Sequence, residues 1–204
     1  KTSKESNKKL KTYKWDIWTF EEFFEIQKRW GYDKIEWSVY MISYSDEYEV
    51  NKYVLKDLSI FPQEITGDLS FEGDCIKVES LSGNLKTVWW DFNIQYSNVK
   101  NIWSDISYVW WKFNLKWNCI KNLSDVDITV VDTFNLSDNE INTFVWSKIL
   151  NYGFLDISSN PLENFHWLPE KIYWLNISRI KAHKFKWAGA ILFIFSLGIF
   201  YNLI

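Results

Sequence analysis

Phe92-Asn93-Ile94-Gln95-Tyr96-Ser97-Asn98-Val99-Lys100-Asn101-Ile102 is followed, 21 residues on, by Phe113-Asn114-Leu115-Lys116-Trp117-Asn118-Cys119-Ile120-Lys121-Asn122-Leu123. After another 21 residues comes Phe134-Asn135-Leu136-Ser137-Asp138-Asn139-Glu140-Ile141-Asn142-Thr143-Phe144, and Leu155-Asp156-Ile157 with Asn160, Leu162 and Phe165 keeps the step. Counted from the opening residue, apolar side chains stand at offsets 0, 2, 7 and 10. Offsets 0 and 2 have the period of a strand, so each copy is predicted to open with a short strand that buries two residues. Offset 5 is asparagine in three copies (Asn118, Asn139, Asn160), with Ser97 and Asp74 at the same place in two others. An asparagine there can turn the chain and use its amide to satisfy backbone groups as it leaves the strand. A period in this range, sustained over many copies, signals a stacked solenoid whose repeats contact only their neighbours.

Extended outward, the register gives starts at Tyr48, Leu69 and Leu175 as well, with spacings of 21, 23, 21, 21, 21 and 20 along the seven copies. The 23-residue step reads as a two-residue insertion at Glu79 that displaces the apolar position to Leu81. The phrase resembles the LxLxxNxIxxL unit of the leucine-rich repeat family, over roughly residues 46–186. Phe61-Pro62-Gln63-Glu64-Ile65 and Leu168-Pro169-Glu170-Lys171-Ile172 look like the LPxxL bridges of its bacterial type. The resemblance implies an α/β solenoid with a parallel sheet on its concave face and a brief helical or extended return outside. A parallel β-helix, whose coil length overlaps this one, is the alternative. Tyr48 at the first start and Ile180 at the last asparagine position fit terminal copies that cap the stack.

In this register the residues between the buried strand positions form one column, Asn93, Asn114, Asn135, Asp156 and Asn176, while Gln95 and Lys116 belong to the next. Both point away from the core and are expected to line the concave surface. Two readings stand: a hydrogen-bonded asparagine ladder, or a polar recognition strip flanked by Tyr96, Trp117 and Arg179, residue types favoured at interface hot spots. The pairs Trp89-Trp90 and Trp110-Trp111 also recur in register. They read either as a stacked, buried ladder on the return side or as a ligand cage.

The chain has 204 residues, a formal charge of −3 and 20% aromatics, with 14 tryptophans. The charge argues against bulk attraction to nucleic acid. Abundant Lys, Asn, Ile, Phe and Tyr suggest an AT-rich genome, and so many tryptophans suggest a code that reads UGA as tryptophan, as in some mitochondria and wall-less bacteria. Cys75 and Cys119 lie two repeats apart, about 10 Å at strand spacing, so both are expected to be reduced.

The ends differ from the middle. Lys1, Lys4, Lys8, Lys9, Lys11 and Lys14 make residues 1–14 a basic tail, solvated or in contact with RNA or anionic lipid. Within 15–45 a helix is expected from Trp15 to Trp30: Thr19 and Glu22 have capping-box spacing, Phe20, Phe23 and Phe24 lie on an apolar face, and Gly31 ends it. Its expected job is to cover the open edge of the first strand, or to dock a partner. Residues 187–204 carry no charge and follow Lys181, His183, Lys184 and Lys186. At 1.5 Å per residue they span about 27 Å as a helix, near the lower limit for a membrane anchor; the alternative is an apolar cap on the last repeat.

No chemistry announces itself. His166 and His183 lack a ligand pattern around them, and no phosphate loop, nucleophile elbow or dinucleotide fingerprint occurs. The expectation is therefore a scaffold with no catalytic residue, cofactor or metal, tethered to a membrane and binding a protein partner. A structural subunit of a large mitochondrial assembly, membrane complex or ribosome, is the alternative.

Overall fold

The computed structural model describes residues 11–42, 53–72, 76–102, 105–123, 126–143, 148–163 and 173–179. The chain winds as a solenoid in which every strand pair among these residues is parallel. Each repeated phrase from Leu69 onward opens a strand of an eight-stranded sheet, and its partners sit one repeat apart: Phe92 opposite Phe113, Phe113 opposite Phe134, Phe134 opposite Leu155, Leu155 opposite Leu175. The predicted core columns are buried wherever they are described from Leu69 to Leu162, and Leu175 and Ile177 of the last copy are partly buried. Phe92, Ile94, Val99 and Ile102 are fully enclosed, as are Phe113, Leu115, Ile120 and Leu123. Inside, the phenylalanine column stacks ring on ring, Phe92 to Phe113 at 4.8 Å and Phe113 to Phe134 at 5.2 Å between centroids. It continues through Phe71 and Phe61 to Phe23 of the helix.

The return segment departs from the expected α/β alternation. It carries a second parallel sheet of seven strands, among them Glu64–Ile65, Thr87–Val88, Tyr108–Val109, Asp127–Val130 and Lys148–Asn151. The inward residues of this sheet, Ile65, Val88, Val109 and Val130, close the core from the other side. Strands lie about 4.8 Å apart whereas a helix with side chains is about 10 Å across, so a strand return matches the coil spacing and a helical one does not. With equal spacing on both sides nothing forces the stack to bend, and the predicted concave surface is simply the outer face of the eight-stranded sheet. A short third side pairs Tyr53–Leu55 with Ile76–Val78 and continues as single bridges from Ser80 to Asn101 and from Asn122 to Thr143.

Three boundaries move at the N-terminal side. The strand in register with Leu69 is Val39–Ile42, not one opening at Tyr48, which lies outside the described residues. The insertion between these two coils hides the true register from a count of spacings. The helix runs Phe20–Trp30, because Ile17–Thr19 is already a strand paired with Val39–Ile42. Lys11 and Lys14, assigned to a basic tail, flank the strand Thr12–Tyr13; Lys14 pairs with Glu36 at 3.2 Å and Lys11 Nζ donates to the Trp30 carbonyl. The two-residue insertion is present but lies upstream of Glu79: Phe92 faces Leu69, 23 residues back, whereas Asn101 already bridges Ser80 and Lys100 N–H donates to the Glu79 carbonyl, both 21 back, so the buried Leu81 stands in the place of Ile102. No helix among the described residues is long and apolar enough to cross a membrane, and residues 187–204 lie outside them.

Candidate interaction surface

The turn that leaves each strand of the eight-stranded sheet is built the same way in every described copy from Phe92 onward. The residue at offset 4 takes a left-handed backbone conformation: Tyr96, Trp117, Asp138, Ser159 and Arg179 have φ of 58°, 58°, 54°, 57° and 55°. In the three copies with asparagine at offset 5, the amide is then buried. Asn118 Oδ1 accepts from the Ser97 and Val99 N–H groups of the preceding coil, while its Nδ2 donates to the Ile94, Leu115 and Lys116 carbonyls. Asn139 and Asn160 repeat the pattern one and two coils on. A buried backbone group without a partner is costly, and this inner ladder satisfies those that the turn would strand.

The outer columns resolve into a partial ladder. Asn114 Nδ2 donates to Asn93 Oδ1 at 3.1 Å and to Gln95 Oε1 at 3.3 Å, and Asn176 Nδ2 donates to Asp156 at 3.1 Å. Asn135 instead turns onto its own coil and accepts from the N–H and hydroxyl of Ser137. All five residues of this column are half-buried. On the flank, Tyr96 and Trp117 are exposed and stack at 5.9 Å with rings 8° from parallel. Lys116 Nζ lies 5.5 Å from the Trp117 ring centroid and 3.6 Å from the Asp138 carboxylate. The fold thus gathers Gln95, Tyr96, Lys116 and Trp117 on adjacent coils, while Arg179 is exposed several coils away.

The tryptophan pairs are a surface that the sequence reading placed elsewhere. They stack as expected, Trp89 on Trp110 at 5.9 Å and Trp90 near Trp111 at 6.3 Å. They are not buried: Trp90 is 56% exposed and Trp110 44%. Their position is the corner where the seven-stranded sheet hands over to the eight-stranded one, and both residues of a corner point out. Trp15 and Trp37 occupy the same column two positions before Ile17 and Val39, and both are more than half exposed. The signal that would have found this surface was the continuation of the Trp90 and Trp111 column through Trp37 and Trp15, hidden because the first two coils were out of the counted register.

A carboxylate ladder backs the corner. Asp68 accepts from the Asp91 N–H at 3.0 Å, and Asp91 from the Lys112 N–H at 3.3 Å. Burial pushes the Asp91 carboxyl above its ordinary range; Asp68 and Asp132 push the same way and Lys112 opposes them. Cys119 is a free thiol, whereas Cys75, His166 and His183 lie outside the described residues.

Comparison with protein-family models, with curated proteins and with solved structures finds no match to this chain.

Proposed function

We propose that this chain is a non-enzymatic protein-interaction scaffold of leucine-rich-repeat type, held at a membrane through residues 187–204, with the outer face of the eight-stranded sheet as its docking face. The observation that carries this reading is the pair Tyr96 and Trp117. All five described coils from Phe92 onward bend through the left-handed region at that position, so the bend belongs to the scaffold. A bulky side chain there costs about 1–2 kcal/mol relative to right-handed backbone, against less for Asn or Asp. Asp138 and Ser159 fill the position in the following coils. Two large aromatic rings at the costlier choice, exposed and beside a polar strip, have the makings of an interface anchor.

The test separates binding from folding. Tyr96→Asn with Trp117→Asn keeps residues that suit the left-handed turn. Its thermal midpoint is expected to stay at or above that of the parent. A photo-crosslinking residue at Lys116 is expected to capture a defined protein in the parent and to lose it in the variant; unchanged capture rules the pair out as anchors. The tether is tested by alkaline carbonate extraction, in which deletion of 187–204 is expected to release the chain from membranes.

A second reading, a permanent subunit of a larger assembly such as a membrane complex or ribosome, is favoured by the exposed tryptophan corner. Persistent aggregation of the chain produced without 187–204 would support it over the scaffold.

A further inference from the structure

We infer that the tryptophan corner is the face on which the solenoid rests against a lipid bilayer, its rings seated at the depth of the headgroups. This rests on the reading of residues 187–204 as a membrane segment. The corner runs along the stack, since its positions recur at one column on successive coils and the seven-stranded sheet stacks at about 4.8 Å per coil, roughly 29 Å in all. Indole rings hold it on four coils, at Trp15, Trp37, Trp90 and Trp111, with Gly67 between the two pairs; such side chains, with an apolar body and a polar edge, concentrate where hydrocarbon meets water. Trp90, Trp110 and Trp111 have no hydrogen-bond partner for their indole N–H among the described residues, leaving those donors free for ester and phosphate oxygens; Trp89 alone of the four donates, to Glu64 at 2.8 Å.

Charge around the corner points the same way. The flanking lysines are paired on the seven-stranded sheet, Lys34 with Glu64 at 3.0 Å, Lys86 with Asp105 at 3.0 Å and Lys14 with Glu36 at 3.2 Å. Lys112, beside Trp111, faces the Asp91 carboxylate, with Asp68 and Asp132 near it; such a surface offers no positive field to steer nucleic acid or an acidic protein, and it suits a zwitterionic lipid rather than an anionic one. Beyond Asp132 and Gly153, which interrupt the row, aromatic side chains return on the last described coil, where Tyr173 and Trp174 are exposed, and the uncharged run 187–204 follows a dozen residues later in sequence. A span there would bring that end of the corner to the interface, and the rest of the row would follow along the surface.

The experiment uses the full chain in phosphatidylcholine vesicles, with Cys75→Ser and Cys119→Ser. One environment-sensitive fluorophore is attached at Trp111→Cys on the corner, or at Lys121→Cys beside the Asn122 bridge on the third side. The expected result is a blue-shifted emission at 111, quenched by headgroup-nitroxide lipid, and a water-like, unquenched emission at 121. Water-like emission at 111 in a chain retained on the vesicles overturns the inference while leaving the tether standing. A blue shift at 111 that grows with the protein-to-lipid ratio assigns the corner to a second copy of the chain and overturns it too. A chain that does not associate with the vesicles overturns the tether and the inference together. Both labelled positions are exposed, and Trp90→Cys repeats the measurement one coil earlier should the first variant misfold.

Discussion

Asn139 shows how much a single residue carries in this fold. It is buried, its Oδ1 accepts from Ile120 N–H in the preceding coil, and its Nδ2 is shared by the Leu115, Leu136 and Ser137 carbonyls. Asn139→Ala leaves these groups enclosed without partners and is expected to cost about 2–3 kcal/mol in urea unfolding. Asn135, in the outer column, bonds only within its own turn, so Asn135→Ala is expected to stay within about 0.5 kcal/mol of the parent. Equal losses at the two sites would sink this division of labour. Asp91 makes a pH prediction. Its folded carboxyl titrates above the ordinary value of 3.8, so ionising it is harder in the fold than in the unfolded chain. Its contribution to stability is therefore full below 3.8 and declines as pH rises through the folded value. Asp57 and Asp105 are shifted the other way by hydrogen bonds to Ser59 and Lys86, and what they contribute is lost as pH falls. Asp91→Asn should raise the thermal midpoint at pH 7 relative to the parent and narrow the gap at pH 4; a lowered midpoint at pH 7 would show that its bond to Lys112 matters more than its charge.

At the scale of elements, both caps of the helix Phe20–Trp30 were legible, although its start was expected at Trp15. Thr19 Oγ1 accepts from Glu22 N–H at 3.1 Å, and Gly31 turns left-handed at φ 55° to donate to the Gln27 carbonyl. Thr19→Ala is expected to cost about 1 kcal/mol, measured as a shift in the unfolding midpoint. What could not be read was that the preceding residues are a strand, since Ile17 and Thr19 are set by pairing with Val39 and Ile42 more than twenty residues away. The apolar face was also narrower than its sequence: Phe20 and Phe23 are buried, whereas Phe24 and Trp30 stay exposed. Corners impose a steric rule of their own. At Gly153 the chain passes so close to the preceding coil that a Cβ would run into the Asp132 carbonyl. Gly153→Val is therefore expected to destabilise strongly, while Trp90→Ser, at an open corner, is expected to leave the midpoint nearly unchanged.

The whole molecule behaves as a stack of equivalent coils, so its length should be adjustable in whole periods. Deleting residues 113–133 joins the coil of Phe92 to that of Phe134 with every core column in phase. The shortened chain is expected to fold, with β-rich circular dichroism and a smaller urea m-value, because less surface is buried. Deleting only 113–122 breaks the phase and is expected to leave it unfolded; if both deletions fold alike, the coils are not the cooperative unit.

The period, the four inward columns of each central phrase and the asparagine of the turn were all determined by the sequence alone. They are local: alternation along a strand says which side is inside, whatever that strand later pairs with. The tertiary structure decided the rest, namely that the return is a second sheet and not a helix, that the first coils begin at Ile17 and Val39, and that the tryptophan pairs face outward. The physical reason is shared. Return geometry is set by the spacing of neighbouring coils, and the exposure of a corner residue is set by the angle between two sheets, and neither quantity is written in any one repeat.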